Sequence, residues 1–175
     1  MSTRLKTLKG GRVYFDVNPI IYFIEQNAGF AGAVTPLFEM LGEGAIVAYT
    51  SEFSLTEILI KPIRDGRVDV IQAHKELLLD PELFTLTKAS RETFLSAAEL
   101  GAKSGMRTPD AIHFASAMQN QCQFFITNDK KIKSQHGVAV VYVSDLQSEL
   151  FEDHRLVPID QHPTLGMPNH GAGQH

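Results

Sequence analysis

Residues 12–19, RVYFDVNP, join a short apolar run to a helix signal. Residues 13–15 are β-branched or aromatic, which is typical of a buried strand. The run stops at the carboxylate of Asp16. Asn18 and Pro19 then predict a helix that starts at once, because Asn caps free amides and Pro needs no hydrogen bond in the first helical position. Asp16 is therefore predicted to lie at the carboxyl end of a strand, where open parallel α/β sheets bind their ligands.

Strand and helix signals alternate through the rest of the chain. Short apolar runs predict further strands at residues 45–50, 83–86, 124–126 and 138–143. Amphipathic stretches predict helices at residues 20–24, 30–41, 51 or 54 to 60, 66–79, 90–104 and 108–120. Pro62 is expected to close the third of these helices. The alternation predicts an α/β fold with a parallel sheet of about five strands, covered by helices on both faces.

Length and composition predict one domain. The chain has 175 residues, of which 43% are hydrophobic, and this is enough for a full core. We place the domain at residues 1–150. Residues 158–175 contain Pro, Gly and His without periodicity, so residues 151–175 are predicted to be a poorly ordered C-terminal tail.

Composition also narrows the functional class. The single cysteine, Cys122, excludes an intrachain disulfide and favours a reducing cytoplasm. No apolar run is long enough for a membrane span, and the basic first residues lack the apolar core of a secretory signal. The net charge of −4 argues against bulk electrostatic binding of nucleic acid. It does not exclude a nuclease whose acids are neutralised by metal.

Four acids stand beside predicted strand ends or helix starts, and each has a structural explanation. Asp16 suits a strand-to-helix turn. Glu57 completes a capping box that begins at Ser54. Asp110 and Asp129 would lie in first helical turns, where the helix dipole favours a negative charge. Taken singly, none of the four requires a functional role.

Taken together, the four acids predict a metal site. They are expected at one edge of the sheet, where four carboxylates would repel one another unless a cation held them. Oxygen ligands without Cys or His indicate Mg²⁺ or Mn²⁺, which also bind phosphate oxygens. Two such ions about 3.5–4 Å apart can clamp the attacking and leaving oxygens of a phosphodiester displacement. The sequence therefore predicts metal-dependent phosphodiester chemistry.

Four segments carry these acids in order. They are FDVN at residues 15–18, TSEFSLTEIL at 50–59, TPDAIHFASAM at 108–118 and FITND at 125–129. In this order they resemble the PIN domain, and look closest to toxin ribonucleases of the VapC type, over most of residues 12–143. The resemblance implies a five-stranded parallel sheet, a divalent-metal site, endoribonuclease activity on RNA and an antitoxin partner that folds against the toxin. It assigns the metal-binding acidic quartet to Asp16, Glu57, Asp110 and Asp129, and supporting catalytic roles to Asn18 and Thr127.

Several basic residues near these acids are candidates for binding RNA. They are Arg107, Lys130, Lys131 and Lys133. Each is equally explained as a solvated surface charge. Because the protein is acidic, at least one of the lysines is predicted to face the cleft and bind phosphate. His113 lies in an apolar helical segment and is interpreted as a satisfied, half-buried histidine rather than a catalytic base.

The apolar residues of segments 20–24 and 30–41 exceed what one face of a sheet can cover. They predict a groove for an antitoxin helix or a second subunit, and a homodimer is expected. A different class of function stays open, in which a PIN-fold module binds RNA or protein without cleaving it. A phosphohydrolase of the haloacid type fits less well, because it requires a second Asp where this chain has Asn18. A phosphoacceptor receiver also fits less well, because it requires paired acids before its first helix.

Overall fold

A computed structural model describes residues 3–155 of the chain, with side chains as far as residue 150. The strands are β1 Arg12–Phe15, β2 Val47–Ser51, β3 Phe84–Thr87, β4 Phe124–Thr127 and β5 Ala139–Tyr142. The helices are α1 Thr3–Leu8, α2 Val17–Ile24, α3 Ala31–Gly42, α4 Phe53–Arg64, α5 Val68–Leu79, α6 Arg91–Ser104, α7 Thr108–Gln119 and α8 Val143–Arg155.

The five strands form one parallel sheet in the order β3-β2-β1-β4-β5. The predicted α/β fold with a five-stranded parallel sheet is confirmed. From β1 the chain first builds outward through β2 and β3, and it then crosses to the other side to add β4 and β5. The strand order therefore reverses between β1 and β4, where Phe15 pairs with Ile126. Such a switch point opens a crevice beyond the carboxyl ends of the strands.

Helices cover both faces of the sheet, as predicted. Side chains alternate along a strand, so neighbours in β1 enter different cores. Phe15 packs edge-on against Phe84 in the core that contains α2 and α3. Tyr14 stacks on Phe125 at a centroid distance of 5.2 Å, in the core formed with α6 and α7. The sheet is thus buried on both sides, which fixes the direction of each side chain at the end of β1.

Two helix starts differ from the predictions. The cap of α2 is Asp16 rather than Asn18, because the Asp16 carboxylate accepts a hydrogen bond from the amide of Val17. The prediction of a capping box at the start of α4 is wrong. That helix begins after Glu52, and the Ser54 hydroxyl bonds to Thr50 on β2 instead of capping an amide.

Two further local predictions are wrong. Pro62 does not close α4, which continues to Arg64, because Pro62 is buried against the rest of the protein and packing overrides its weak helix propensity. Asp129 does not begin a helix. It lies in a turn, and its carboxylate accepts a hydrogen bond from the amide of Lys131.

The two ends of the described chain meet on one side of the protein. Helix α1 was not predicted, and its Arg4 forms ion pairs with Asp145 and Glu149 of α8. Helix α8 crosses the predicted domain boundary at residue 150 and ends at Arg155. Residues 156–175 of the predicted tail lie outside the described residues. Within the described part, no helix has both the length and the apolar character that a bilayer crossing requires.

Candidate active site

Asp16 lies in the crevice at the switch point between β1 and β4. Its side chain is buried, and the whole residue is only 5% exposed. One carboxylate oxygen accepts a hydrogen bond from the amide of Val17 at 2.8 Å, and the other accepts one from the hydroxyl of Thr127 at 2.6 Å. Because Thr127 ends the neighbouring strand β4, the pairing of β1 with β4 sets the orientation of this carboxylate.

Thr127 also connects Asp16 to Asp129. The Thr127 hydroxyl donates to Asp16 and accepts a hydrogen bond from the amide of Asp129 at 3.0 Å. Thr127 is fully buried, so both bonds are shielded from water. The supporting role that the resemblance implied for Thr127 thus corresponds to a hydroxyl that holds two candidate acids in a fixed relation.

Arg107 joins Asp129 to a third candidate acid, Asp110. It precedes α7, and its guanidinium contacts both oxygens of Asp110, at 2.9 and 3.3 Å. The same guanidinium donates to Asp129 at 3.2 Å. The side chain of Arg107 is 66% exposed, whereas those of Asp110 and Asp129 are 14% and 21% exposed. Arg107 was predicted as a candidate for binding RNA, and here its charge is shared between two acids of the site.

Glu57 is held by a histidine rather than by a backbone amide. Its carboxylate lies 2.6 Å from Nε2 of His113 on α7. The Nδ1 atom of His113 lies 2.9 Å from the hydroxyl of Tyr14 on β1. His113 is fully buried and both of its ring nitrogens have partners, so it is a satisfied histidine as predicted, although more deeply buried than expected.

Burial dominates the electrostatics of Asp16. It raises the pKa of this carboxyl, and a nearby charge on Asp110 adds to the increase. A protonated His113, the Thr127 hydroxyl and the Val17 amide act in the opposite direction. The hydrogen bond and charge of Asp110 raise the pKa of Arg107, with smaller contributions from Asp129 and Asp16. These couplings indicate that Asp16 shares one electrostatic environment with His113, Asp110 and Arg107.

The oxygen donors at this edge suit a hard divalent cation. Asp110 and Asp129 already bind one cationic group, the guanidinium of Arg107, which indicates a local excess of negative charge. In the present arrangement of the described residues, however, no three acid, imidazole or thiol side chains are close enough to hold an ion. The convergence of all four acids around one metal stays a prediction.

The other predicted site residues lie around this group. Asn18 is half-buried in the first turn of α2. Lys130 bonds to Asp145 of α8 at 2.7 Å and lies over the ring of Tyr142, so its charge has partners away from the four acids. The ammonium of Lys133 lies 5.8 Å from the centroid of the same ring. That one of the lysines faces the cleft stays a prediction.

Tyr14 is a residue of this site to which the sequence alone gave no role. Its hydroxyl reaches the site from inside the second core, through His113. The available signal was its position two residues before Asp16 in a strand buried on both faces, where a phenol needs a partner. Position alone does not identify that partner.

Comparisons with solved structures identify proteins of the same fold. One is a chain in the crystal structure of VapBC2 from Rickettsia felis, which is bound to a DNA fragment from its promoter. The TM-score is 0.60 and the identity 15%, and the match covers 75% of this chain and 98% of that one. A toxin–antitoxin complex from Klebsiella pneumoniae gives a TM-score of 0.56 and 18% identity, covering 73% and 95%. VapC20 of Mycobacterium tuberculosis, a toxin that cleaves the Sarcin-Ricin loop, gives a TM-score of 0.55 and 15% identity, covering 65% and 86%.

Sequence comparison gives the family. No curated protein sequence matches this chain. The profile of the PIN domain matches residues 13–137. This range contains all four candidate acids and strands β1 to β4, apart from Arg12 at the start of β1. Because that match spans well over half of the sequence and the fold agrees with it, the chain belongs to the PIN domain family.

Proposed function

We propose that this protein is a divalent-metal-dependent endoribonuclease that hydrolyses RNA phosphodiester bonds and acts as the toxin of a toxin–antitoxin pair. Membership of the PIN domain family supports the nuclease class. The structures of similar fold support the biological role, since they include a toxin–antitoxin complex and a toxin that cleaves the Sarcin-Ricin loop. An antitoxin protein is the proposed partner, and a second copy of the chain is the proposed subunit.

The observation that carries the proposal is the environment of Asp16. A carboxylate is buried at the switch point of a parallel sheet, and the hydroxyl of Thr127 holds it in place. A structural turn residue needs no burial of this kind, because solvent would satisfy the same carboxylate at lower cost. Asp110 and Asp129 lie on the same edge and are joined by the guanidinium of Arg107.

Asp16, Glu57, Asp110 and Asp129 would hold Mg²⁺ or Mn²⁺. The bound metal would neutralise these acids and polarise the phosphate that is to be cleaved. The protein positions the ligands, because Thr127 orients Asp16 and His113 contacts Glu57. The guanidinium of Arg107 binds two of the same carboxylates, so it and the metal compete for them.

The antitoxin and the second subunit would bind apolar surface. Of the two segments predicted to leave apolar surface uncovered, α2 keeps four consecutive apolar or aromatic residues only half-buried, at positions 21–24. The prediction is wrong for α3, because its large apolar residues are buried in the core. The hairpin of α4 and α5 exposes large apolar side chains near its tip: Ile60, Ile63 and Val68. Apolar faces of this kind are typical of the surfaces that receive an amphipathic helix.

Cleavage of single-stranded RNA by the purified protein tests the function. We expect products with Mg²⁺ or Mn²⁺ and none after chelation with EDTA. Asp16→Asn should reduce the rate by at least about 100-fold, the usual scale for loss of a group that orients or stabilises the reacting centre. The matched control is Asp65→Asn, since Asp65 is an acid exposed at the end of α4 and pairs only with the basic side chains Lys61 and Arg64 there. The control should cleave at the wild-type rate.

The alternative function is a PIN-fold module that binds RNA or protein without cleaving it. The ion pairs of Arg107 favour it to a limited extent, because a site whose acids have an internal cation is stable without metal. Tight RNA binding by the wild type, with no cleavage under any divalent metal, would select this alternative over the nuclease.

A further inference from the structure

Two buried groups, Tyr14 and His113, form a continuous hydrogen-bonded chain that ends at Glu57. The hydroxyl of Tyr14 lies 2.9 Å from Nδ1 of His113, and Nε2 of His113 lies 2.6 Å from the Glu57 carboxylate. The chain links three separate elements, the first strand and helices α7 and α4. Tyr14 and His113 are both fully buried, whereas the side chain of Glu57 is 27% exposed. The chain therefore runs from the core to a partly exposed acid.

The roles of donor and acceptor follow from the chemistry of the two ends. Burial raises the pKa of Tyr14 well above its ordinary value, so its phenol stays protonated. The Glu57 carboxylate can only accept hydrogen bonds when ionised, so Nε2 of His113 must carry a proton. In neutral His113 the Nδ1 atom is then the acceptor for the Tyr14 hydroxyl. One tautomer satisfies both contacts, and the Glu57 carboxylate selects it, because the phenol can either donate or accept.

The ring of His113 is also fixed by packing. The ring of Tyr14 meets it edge-on at a centroid distance of 5.9 Å, and the ring of Phe53 on α4 lies at a centroid distance of 5.7 Å. A ring held by two aromatic neighbours and two hydrogen bonds has little freedom to rotate. Glu57, in contrast, is a long, partly exposed side chain, and without a partner it would lose rotamer freedom on binding a ligand.

We propose that His113, held by Tyr14, is a positioning residue that sets the Glu57 carboxylate for metal binding. The inference rests on the proposed function, because it takes Glu57 to be a metal ligand. Partners that orient a ligating carboxylate typically change metal affinity or activity by about 10- to 100-fold when they are removed. His113 would act through Glu57 and would not contact the metal or the RNA.

The test is Mn²⁺ binding by the free protein, measured by calorimetry and by the electron paramagnetic resonance of unbound Mn²⁺, without RNA. The Gln side chain in His113→Gln reaches as far as the Nε2 position and can still donate to Glu57. The Asn side chain in His113→Asn reaches only the Nδ1 position. We expect His113→Asn to weaken Mn²⁺ binding by about 10- to 100-fold, and His113→Gln to keep it within a few-fold of wild type.

Stability separates positioning from packing. Both variants lose the imidazole ring and its aromatic contacts, so both should unfold at similar denaturant concentrations. A merely structural role would make their metal affinities similar as well. His74→Gln is the matched control, because His74 is fully buried on α5 and is not bonded to any of the four acids. It should leave Mn²⁺ affinity unchanged.

The imidazole ¹⁵N shifts of His113 give a second measurement. We expect the form protonated at Nε2 in the wild type and also in Tyr14→Phe, which removes only the hydroxyl, because the Glu57 carboxylate still accepts from Nε2. A wild type with the proton on Nδ1 would overturn the proposed chain.

Glu57→Gln separates the positioning role of His113 from the metal site itself. If Glu57→Gln weakens Mn²⁺ binding but His113→Asn does not, the positioning role is wrong and the metal site stands. If the wild type binds no Mn²⁺, or Glu57→Gln leaves its affinity unchanged, Glu57 is not a ligand and the positioning role falls with that assignment. RNA cleavage by the Asp16→Asn and Asp65→Asn pair then decides separately whether the nuclease proposal survives.

Discussion

The buried carboxylate of Asp16 should make the wild-type protein less stable than a variant with a neutral side chain at this position. Asp16→Asn keeps the size of the side chain and leaves an oxygen to cap α2, where Asn and Asp are equally good caps. It removes the charge that burial disfavours. The variant should therefore fold at least as stably as the wild type at neutral pH, while losing cleavage activity.

The pH dependence follows from the direction of the pKa shift. The folded pKa of Asp16 is raised, so between the unfolded value of about 3.9 and the folded value the native state binds more protons than the unfolded chain. Wild-type stability should fall as the pH rises through this window, and the penalty is complete above the folded pKa. Each unit of the shift corresponds to about 1.4 kcal/mol. The advantage of Asp16→Asn should thus be near zero at pH 3 and largest above the window.

Urea unfolding followed by circular dichroism, at several pH values from 3 to 8, measures this difference. Asp16→Ala is the control, because it removes the charge and the cap together. Loss of an N-cap costs about 0.5–2 kcal/mol. In Asp16→Ala the buried Thr127 hydroxyl also loses its partner altogether, whereas the amide group of Asn can still donate to it, so Asp16→Ala should be less stable than Asp16→Asn. If Asp16→Asn were less stable than wild type by more than about 1 kcal/mol at pH 7, Asp16 would be a structural residue and the reasoning would be refuted.

Three further predictions concern Arg107, the lysines that follow Asp129, and Cys122. Arg107→Ala removes the cation that joins two candidate metal ligands, and because exposed ion pairs are weak, the Mn²⁺ affinity of the free protein should rise only a few-fold in calorimetry. Unchanged affinity would show that the guanidinium does not compete. Replacing the three lysines after Asp129 with alanine should weaken RNA binding uniformly across sequences and reduce the log–log salt slope by about 0.7 per lost phosphate contact, whereas an unchanged slope would leave them as solvated charges. These positions are Lys130, Lys131 and Lys133. Burial raises the pKa of the Cys122 thiol to about 12, so iodoacetamide at pH 8 should alkylate the native protein far more slowly than the urea-unfolded chain, and equal rates would contradict the burial.

The alternation of strands and helices was predictable because local sequence patterns specify it. Apolar runs of strand length and amphipathic stretches of helix length recur along the chain, and only a parallel sheet with two covered faces accommodates that pattern. The position of Asp16 at the end of β1 followed from three apolar residues and a helix signal. Its predicted neighbour in the helix, Asn18, was assigned the cap wrongly, because two adjacent polar residues carry nearly the same local signal.

The contacts of the acids were decided by the tertiary structure. Glu57 has the spacing of a capping box, and local chemistry would satisfy it there, but it bonds to His113, which lies 56 positions further along the chain. Arg107 could have faced solvent or RNA, and it joins Asp110 to Asp129 only because β4 ends beside the start of α7. Such partners depend on the order of strands in the sheet, which local periodicity does not specify. The sequence by itself determined which residues could carry the chemistry, and that Asp16 and Asp129 follow strands. The packing of α4 and α7 around β1 decided what each of them contacts, because those contacts join segments that only the folded sheet brings together.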